Sequence, residues 1–166
     1  MATALFINRT DLVKNSIIDG NVDTNKFIQF VKIAQEIHIR NYTGSKLYDK
    51  LQSDILGSGL SGAYQTLVNT YIAPMLIHFA LVEYLPYAGV NITNNGIFSM
   101  QPENSTVLDK NRVDSLIEKA RDTAQHYTRR FIDFVTFNQT LFPEYNSNSN
   151  GDMNPDDVAD FGGFVL

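Results

Sequence analysis

The chain has 166 residues, of which 43% are hydrophobic and 19% are charged. This length fits one domain, the apolar fraction excludes a wholly disordered chain, and the absence of Cys excludes disulfides, zinc fingers and thiol nucleophiles. The formal net charge of -5 argues against a protein that coats nucleic acid. All 13 basic residues and an equal number of acidic ones lie within residues 1–143, so the excess acid lies in residues 144–166. We therefore predict a neutral domain over 1–143 and an acidic, flexible tail over 144–166.

The first half of the chain carries helix signals separated by turns. Thr10 is predicted to cap a short first helix. Asp23 is predicted to cap a second helix that runs to about residue 41. Gly44 and Ser45 are expected to end that helix and begin a third, before a glycine-rich break at residues 57–62. The buried face of the second helix is predicted to comprise Phe27, Phe30, Val31, Ala34 and Ile37.

The second half begins with the most apolar helix, residues 63–85, in which Pro74 is expected to cause a kink or a break. The Asn95-Gly96 pair predicts a β-hairpin or an ordered extended loop over residues 89–99. A last helix keeps a 3.6-residue period for about seven turns and is expected to end before Pro143. The predicted fold class is all-α, a small bundle of four to five helices with one long C-terminal helix, a minor hairpin or loop, and a flexible C-terminal arm.

The residue types that carry chemistry show no catalytic or metal-binding pattern. The three histidines, at positions 38, 78 and 126, lie in three different predicted helices, and no His-x-x-His, Glu-x-x-His or His-x-x-x-His spacing occurs. The acidic stretch from Asp152 lacks the Gly and Glu of an EF-hand loop, and no phosphate-binding loop or nucleophile elbow is present. We expect no catalytic, cofactor-binding or metal-binding residues.

Membrane and secretion signals are also weak. The N-terminal residues contain no basic region followed by an apolar stretch, so no signal peptide is expected. The longest apolar stretch, residues 72–87, is interrupted by Pro74, His78 and Glu83, and we predict that it is too short and too polar to span a bilayer.

The tail combines acidic residues with an apolar tip. Solvated tails usually lack aromatic residues, whereas this one ends in Phe161, Phe164, Val165 and Leu166. A flexible acidic linker with an apolar end is typical of a segment that binds a neighbouring subunit and folds on binding. The alternative is a frayed terminus without a partner.

Several segments together resemble a known family. They are Tyr42-Thr-Gly-Ser-Lys-Leu-Tyr-Asp-Lys-Leu51, the glycine-rich break, Tyr71-Ile-Ala-Pro74 with its apolar helix, the extended segment with Asn95-Gly96, and the long last helix. In this order they resemble the head-to-tail connector (adaptor, or neck ring) proteins of tailed bacteriophages, most closely those of Bacteroides phages, including crAss-like phages. The resemblance covers residues 5 to 142, and its most telling piece is Gly-x-x-Leu-Tyr-x-x-Leu at residues 44–51.

The resemblance implies a non-enzymatic subunit of a homo-oligomeric ring of twelve copies. Such a ring lies in the virion neck beneath the portal vertex, after synthesis in the host cytoplasm. Its partners are the portal protein and the adjacent neck or tail rings, and packaged DNA passes through its channel without sequence-specific binding. No membrane partner is implied. The residues expected to contact partners are Phe161, Phe164, Val165 and Leu166 of the tail and Asn94, Asn95, Gly96, Ile97 and Phe98 of the predicted hairpin.

Two other functions stay open from the sequence. One is a different virion component, such as a tail-completion protein. The other is a soluble helical enzyme or regulator that uses His78 and Glu83.

Overall fold

The computed structural model describes residues 3–18, 24–93, 96–99, 109–148 and 152. These residues form a helical bundle with one two-stranded hairpin, which confirms the predicted all-α class. Two segments are π-helical, Gln35–Ile39 and Leu67–Ile72, and two are 3₁₀-helical, Leu85–Tyr87 and Gln139–Leu141. The remaining elements are α1 (Arg9–Asn15), α2 (Thr24–Ala34), α3 (Arg40–Leu56), α4 (Gly62–Thr66), α5 (Ala73–Tyr84), β1 (Val90–Thr93), β2 (Gly96–Ser99), α6 (Lys110–Phe137) and α7 (Pro143–Asn146).

Helix α5 forms the centre of the bundle. It is apolar on all sides, which is typical of a helix buried within a protein. Its Tyr84 ring meets Phe27 of α2 edge to face, while its His78 ring stacks on Tyr127 of α6. Helices α2 and α6 therefore cover different faces of α5. Seven of its residues are buried in the core: Met75, Leu76, Ile77, Phe79, Ala80, Leu81 and Val82.

The N-cap of α1 lies two residues before the predicted one. It is Asn8, not Thr10, and the Asn8 side chain accepts a hydrogen bond from the Asp11 backbone N–H at 2.9 Å. The Asp11 carboxylate in turn accepts from the Asn8 N–H, which completes a capping box. Residues 19–23, which include the predicted cap Asp23, lie outside the described residues.

The buried face of α2 is confirmed at Phe27, Phe30, Val31 and Ala34, but the prediction that Ile37 belongs to it is wrong. Ile37 is 57% exposed because the helix widens into a π-helical segment at Gln35–Ile39. A π turn holds one residue more than an α turn, so it shifts every following side chain around the axis. Gln35 and Ile39 are buried in its place.

The predicted break at Gly44 is confirmed. Its φ of 71° and ψ of 162° interrupt an otherwise helical stretch, and this region of backbone conformation is essentially confined to glycine. Leu47, Tyr48 and Leu51 then face the core from the second part of α3. The glycine-rich stretch that follows contains two more glycines with positive φ, Gly59 and Gly62.

Pro74 neither breaks nor ends its helix. The chain stays helical from α4 through the π-helical segment Leu67–Ile72 into α5, where Pro74 occupies the first turn. Proline lacks a backbone N–H and crowds the preceding turn, and the wider π turn lies directly before it. The sequence signal for a distortion at this proline was correct, and the distortion takes the form of a π-helical segment.

This continuous helix, Gly62–Tyr87, is 26 residues long. By length and composition it could cross a membrane, so the expectation that the stretch is too short is wrong. Its most apolar 18-residue window is 61% buried within the protein, as expected of the central helix of a bundle.

The predicted hairpin is confirmed in its backbone. Strands β1 and β2 pair antiparallel, with Val90 opposite Ser99 and Thr93 opposite Gly96. The turn residues Asn94 and Asn95 lie outside the described residues. Helix α6 follows as a 28-residue helix, as predicted, and presents Ala120, Ala124, Phe131 and Val135 to the core.

The packed body extends beyond residue 143, where the sequence placed the start of the tail. Tyr145 of α7 is buried in the core, and its ring meets Phe131 edge to face. The Tyr64 hydroxyl donates to the Glu144 carboxylate at 2.6 Å, and burial together with this bond raises the pKa of Tyr64. Residues 144–148 therefore belong to the body, and a truncation that tests the tail must begin after them.

Candidate functional site

Most of the predicted partner-binding residues lie outside the described residues. Gly96, Ile97 and Phe98 lie in strand β2, of which the backbone is described. Asn94 and Asn95 lie outside the described residues, as do the four apolar tail residues Phe161, Phe164, Val165 and Leu166.

One candidate is an apolar surface on the outer side of α2 and of the π-helical segment that continues it. Ile33 is 40% exposed and Ile37 is 57% exposed. Four positions apart, they are neighbours on one helical face. We call Ile33 and Ile37 the α2 patch. The sequence did not indicate this patch, because Ile37 reaches the surface only through the π-helical shift.

A second apolar surface lies where α6 ends. Phe137 is 89% exposed, and Leu141 in the following 3₁₀ turn is 48% exposed. We call Phe137 and Leu141 the C-terminal patch. A phenylalanine exposed to this extent contributes nothing to the core, so its presence is more easily explained by a partner surface. The sequence signal was available, because Phe137 falls off the periodic apolar face of α6.

Two cavities flank His78 between α1, α5 and α6. The larger, of about 440 Å³, has a mostly polar lining. The smaller, of about 370 Å³, has a mostly apolar lining. His78 lines both cavities, and Tyr127, on which it stacks, lines the larger one. The residues of the larger cavity are Phe6, Asn8, Asp11, Asn15, Asn69, Ala73, Pro74, Ile77, His78 and Tyr127.

His78 and Glu83, the pair considered for an enzymatic role, face different sides of α5. His78 stacks on Tyr127 of α6, with the ring centroids 5.6 Å apart. Glu83 instead pairs with His38, whose Nε2 lies 2.8 Å from its carboxylate oxygen. The His38 ring also stacks on Phe79 at 4.1 Å. The structure therefore brings a different histidine to Glu83, at the junction of the first π-helical segment with α5.

Arg130, of the adjacent basic pair Arg129 and Arg130, packs on aromatic rings. The Arg130 guanidinium lies over the Tyr71 ring at 5.7 Å and near the Tyr127 ring at 6.0 Å. These are cation–π contacts, which fix Arg130 against the helix that precedes α5. Within the described part of the chain, no three His, Asp or Glu side chains converge to hold a metal ion.

Burial lowers the pKa of His78, which predicts a pH-dependent stability. Because the unfolded histidine has a pKa of about 6.5, the unfolded chain takes up a proton more readily than the folded one. The His78 contribution to stability is therefore present above pH about 6.5 and is lost as the pH falls toward the folded pKa. We expect the free energy of unfolding, measured by urea denaturation, to drop less between pH 7.5 and pH 5.5 in His78→Phe than in the wild type.

His126→Gln is the matched control, because His126 is exposed on α6. It should keep the wild-type difference between the two pH values. Equal pH dependence of the wild type and His78→Phe would contradict the assignment of this effect to His78.

In fold the chain is an all-α protein with a central apolar helix and exposed apolar patches on two of its outer helices. Residues 39–155 match the family of unknown function DUF6712. The match spans more than two thirds of the chain, so the chain belongs to this family. No curated protein and no solved structure matches it significantly.

Proposed function

We propose that this protein is a structural subunit that assembles into a ring of twelve copies in the neck of a tailed bacteriophage virion. The ring connects the portal protein to the next neck or tail ring and extends the channel for DNA. The protein acts by assembly and not by catalysis. Two things support the proposal: the resemblance of residues 5 to 142 to neck ring proteins, and the distribution of exposed apolar side chains on the body.

The observation that carries the proposal is the presence of two different apolar patches on helices that cover different faces of α5. The α2 patch and the C-terminal patch are formed by different residues, so a contact of one patch with the other joins unlike surfaces. Contacts between unlike surfaces of identical subunits are heterologous, and they generate a closed ring when the rotation between neighbours closes. Burying both patches also removes apolar surface from water. This burial stabilises the assembly by about 25 cal/mol per Å² of apolar area.

The hairpin and the tail extend the proposal to neighbouring rings. Residues 94–98 and the apolar tip at residues 161–166 would contact the portal protein or the adjacent ring. Residues 1–143 contain equal numbers of acidic and basic residues. A neutral body suits a conduit, since a strongly basic lumen would retain the DNA that passes through it.

The proposal predicts that a charge in either patch prevents ring formation. We expect Ile37→Asp and Phe137→Asp to remain folded and monomeric under conditions in which the wild type forms rings, alone or with the portal protein of the same phage. Native mass spectrometry gives the number of copies, and circular dichroism checks the fold. Leu56→Asp is the matched control, because Leu56 is exposed to the same extent as Ile37, 57%, but lies outside both patches.

A mixture of the two variants tests the heterologous geometry. Ile37→Asp keeps an intact C-terminal patch and Phe137→Asp keeps an intact α2 patch, so together they should form a dimer with one intact interface. The double variant, which carries Ile37→Asp and Phe137→Asp in one chain, should stay monomeric even when a single variant is added. Rings formed by both single variants would contradict the proposal. Cryo-electron microscopy of the virion, which reports position and copy number, separates a neck ring from the tail-completion alternative.

A further inference from the structure

The smaller cavity is an open apolar groove. Its walls come from the end of α1, the end of α5 with the following 3₁₀ turn, and the first half of α6. Leu81 and Ala120 are buried in it, while Ile17 is 71% exposed and Leu116 is 38% exposed. We call it the α1–α6 groove. Its lining residues are Lys14, Asn15, Ser16, Ile17, His78, Leu81, Leu85, Leu116, Lys119, Ala120 and Thr123.

The charged residues that line this groove are all basic. Lys14 and Lys119 line it, and no Asp or Glu does. Both lysines are exposed, and neither forms an ion pair within the described ranges. Burial lowers the pKa of His78, so this histidine adds no charge near neutral pH. A ligand that fits this groove has apolar side chains for the floor and negative charge for the two lysines.

The tail of the same chain has this composition. Residues 156–166 read Asp-Asp-Val-Ala-Asp-Phe-Gly-Gly-Phe-Val-Leu, with three acidic residues directly before two aromatic and two aliphatic ones. We infer that the α1–α6 groove binds residues 160–166 of its own chain in the isolated subunit. Phe161, Phe164 and Leu166 cover the apolar floor, and the Asp residues before them face Lys14 and Lys119.

The tail is long enough to reach the groove. Asp152 is held beside the body, where its carboxylate accepts a hydrogen bond from Asn148 Nδ2 at 3.0 Å, and this bond lowers its pKa. Eight residues separate Asp152 from Asp160, where the bound segment begins, and they can span up to about 26 Å when extended. Tyr145, seven residues before Asp152, contacts Phe131, and Phe131 lies about 17 Å from Ala120 along α6. A tethered segment also has an effective concentration near its site that reaches the millimolar range, which favours its own groove over that of a second copy.

The experiment uses the full chain, which contains no Cys. A variant with Leu116→Cys and Val165→Cys places one thiol at the rim of the groove and one in the tail. A short bismaleimide should join the two thiols within one chain. After denaturing electrophoresis and digestion of the monomer band, mass spectrometry detects this product as two peptides linked through the reagent. A variant with Ile37→Cys and Val165→Cys is the reference, because Ile37 is exposed but lies outside the groove. We expect the groove pair to react at least tenfold faster than the reference pair.

Two further variants test the charge pairing. Adding Lys119→Glu to the groove pair should lower the rate at least threefold, while adding Lys32→Glu, on an exposed lysine of α2, should leave it unchanged. High salt should also slow the cross-linking of the groove pair that keeps Lys119. Equal rates for the groove and reference pairs would overturn the inference, whether the groove is empty or is filled by another segment. Products joined only between two chains would also overturn it, and would identify a second copy as the occupant. None of these results depends on whether the protein forms a ring, because each is read on the isolated subunit.

Discussion

Phe142→Ala is expected to lower the free energy of unfolding by about 3–5 kcal/mol, the usual cost of removing a fully buried phenylalanine. The Phe142 ring is fully buried, and it packs against rings of α4 and α6. Its centroid lies 5.6 Å from that of Tyr64 and 5.6 Å from that of Phe134. Replacement by Ala leaves a cavity that the surrounding helices can fill only in part. For a domain of this size the melting temperature should fall by about 6–20 °C.

Phe137→Ala is the matched control, with the same change five residues earlier. The Phe137 side chain is 89% exposed, so its loss should alter stability by no more than about 0.5 kcal/mol. Thermal and urea denaturation of both variants gives the comparison. Similar losses of stability in the two would contradict the packing described for residues 138–146. The control also separates stability from assembly, because Phe137 belongs to the C-terminal patch.

The fold class followed from the helical periodicity of apolar residues, which α2 and α6 keep over several turns. Helix α6 is the clearest example, since its core-facing positions recur every three or four residues along much of its 28-residue length. The turn signals also held, because Gly44 needs a positive φ and the Asn95-Gly96 pair favours a hairpin. These are local effects, and the residues that cause them are adjacent in the sequence.

The two π-helical segments could not be predicted in the same way. A π turn adds one residue to a helix without any fixed sequence signal, and the extra residue moves Ile37 outward and Gln35 inward. The α2 patch depends on this shift, so periodicity assigned one of its two residues to the core. Pro74 gave a signal for a distortion but not for its form.

The α1–α6 groove is a tertiary feature of another kind. Lys14 and Lys119 are more than one hundred residues apart in the sequence, and only the packing of α1 and α6 around α5 brings them to one groove. Local sequence patterns carry no information on such a pairing. The acidic and apolar composition of the tail was visible from the start, but the surface with complementary charge became visible only in the folded chain.

Gln35→Ala is expected to lower the free energy of unfolding by about 2–4 kcal/mol, which is large for a polar residue. Gln35 is fully buried. Its Oε1 accepts a hydrogen bond from the Phe6 backbone N–H at 2.9 Å, and its Nε2 donates to the Ala4 carbonyl at 2.8 Å and to the Tyr48 hydroxyl at 3.1 Å. The side chain therefore ties the N-terminal segment to α3 through the π-helical segment.

Gln35→Leu separates the hydrogen bonds from the volume, because leucine fills similar space and bonds to nothing. The Ala4 carbonyl keeps a second donor, Gln52 Nε2 at 2.7 Å, but the buried Phe6 N–H loses its partner. An unsatisfied buried donor costs about 1–3 kcal/mol, so Gln35→Leu should be destabilised by that amount. Gln65→Ala, on an exposed glutamine of α4, should be neutral in the same urea titration. If Gln35→Leu were as stable as the wild type, the network would add no net stability. The burial of Gln35 would then follow from the π-helical shift alone, with its hydrogen bonds merely offsetting the cost of removing the amide from water.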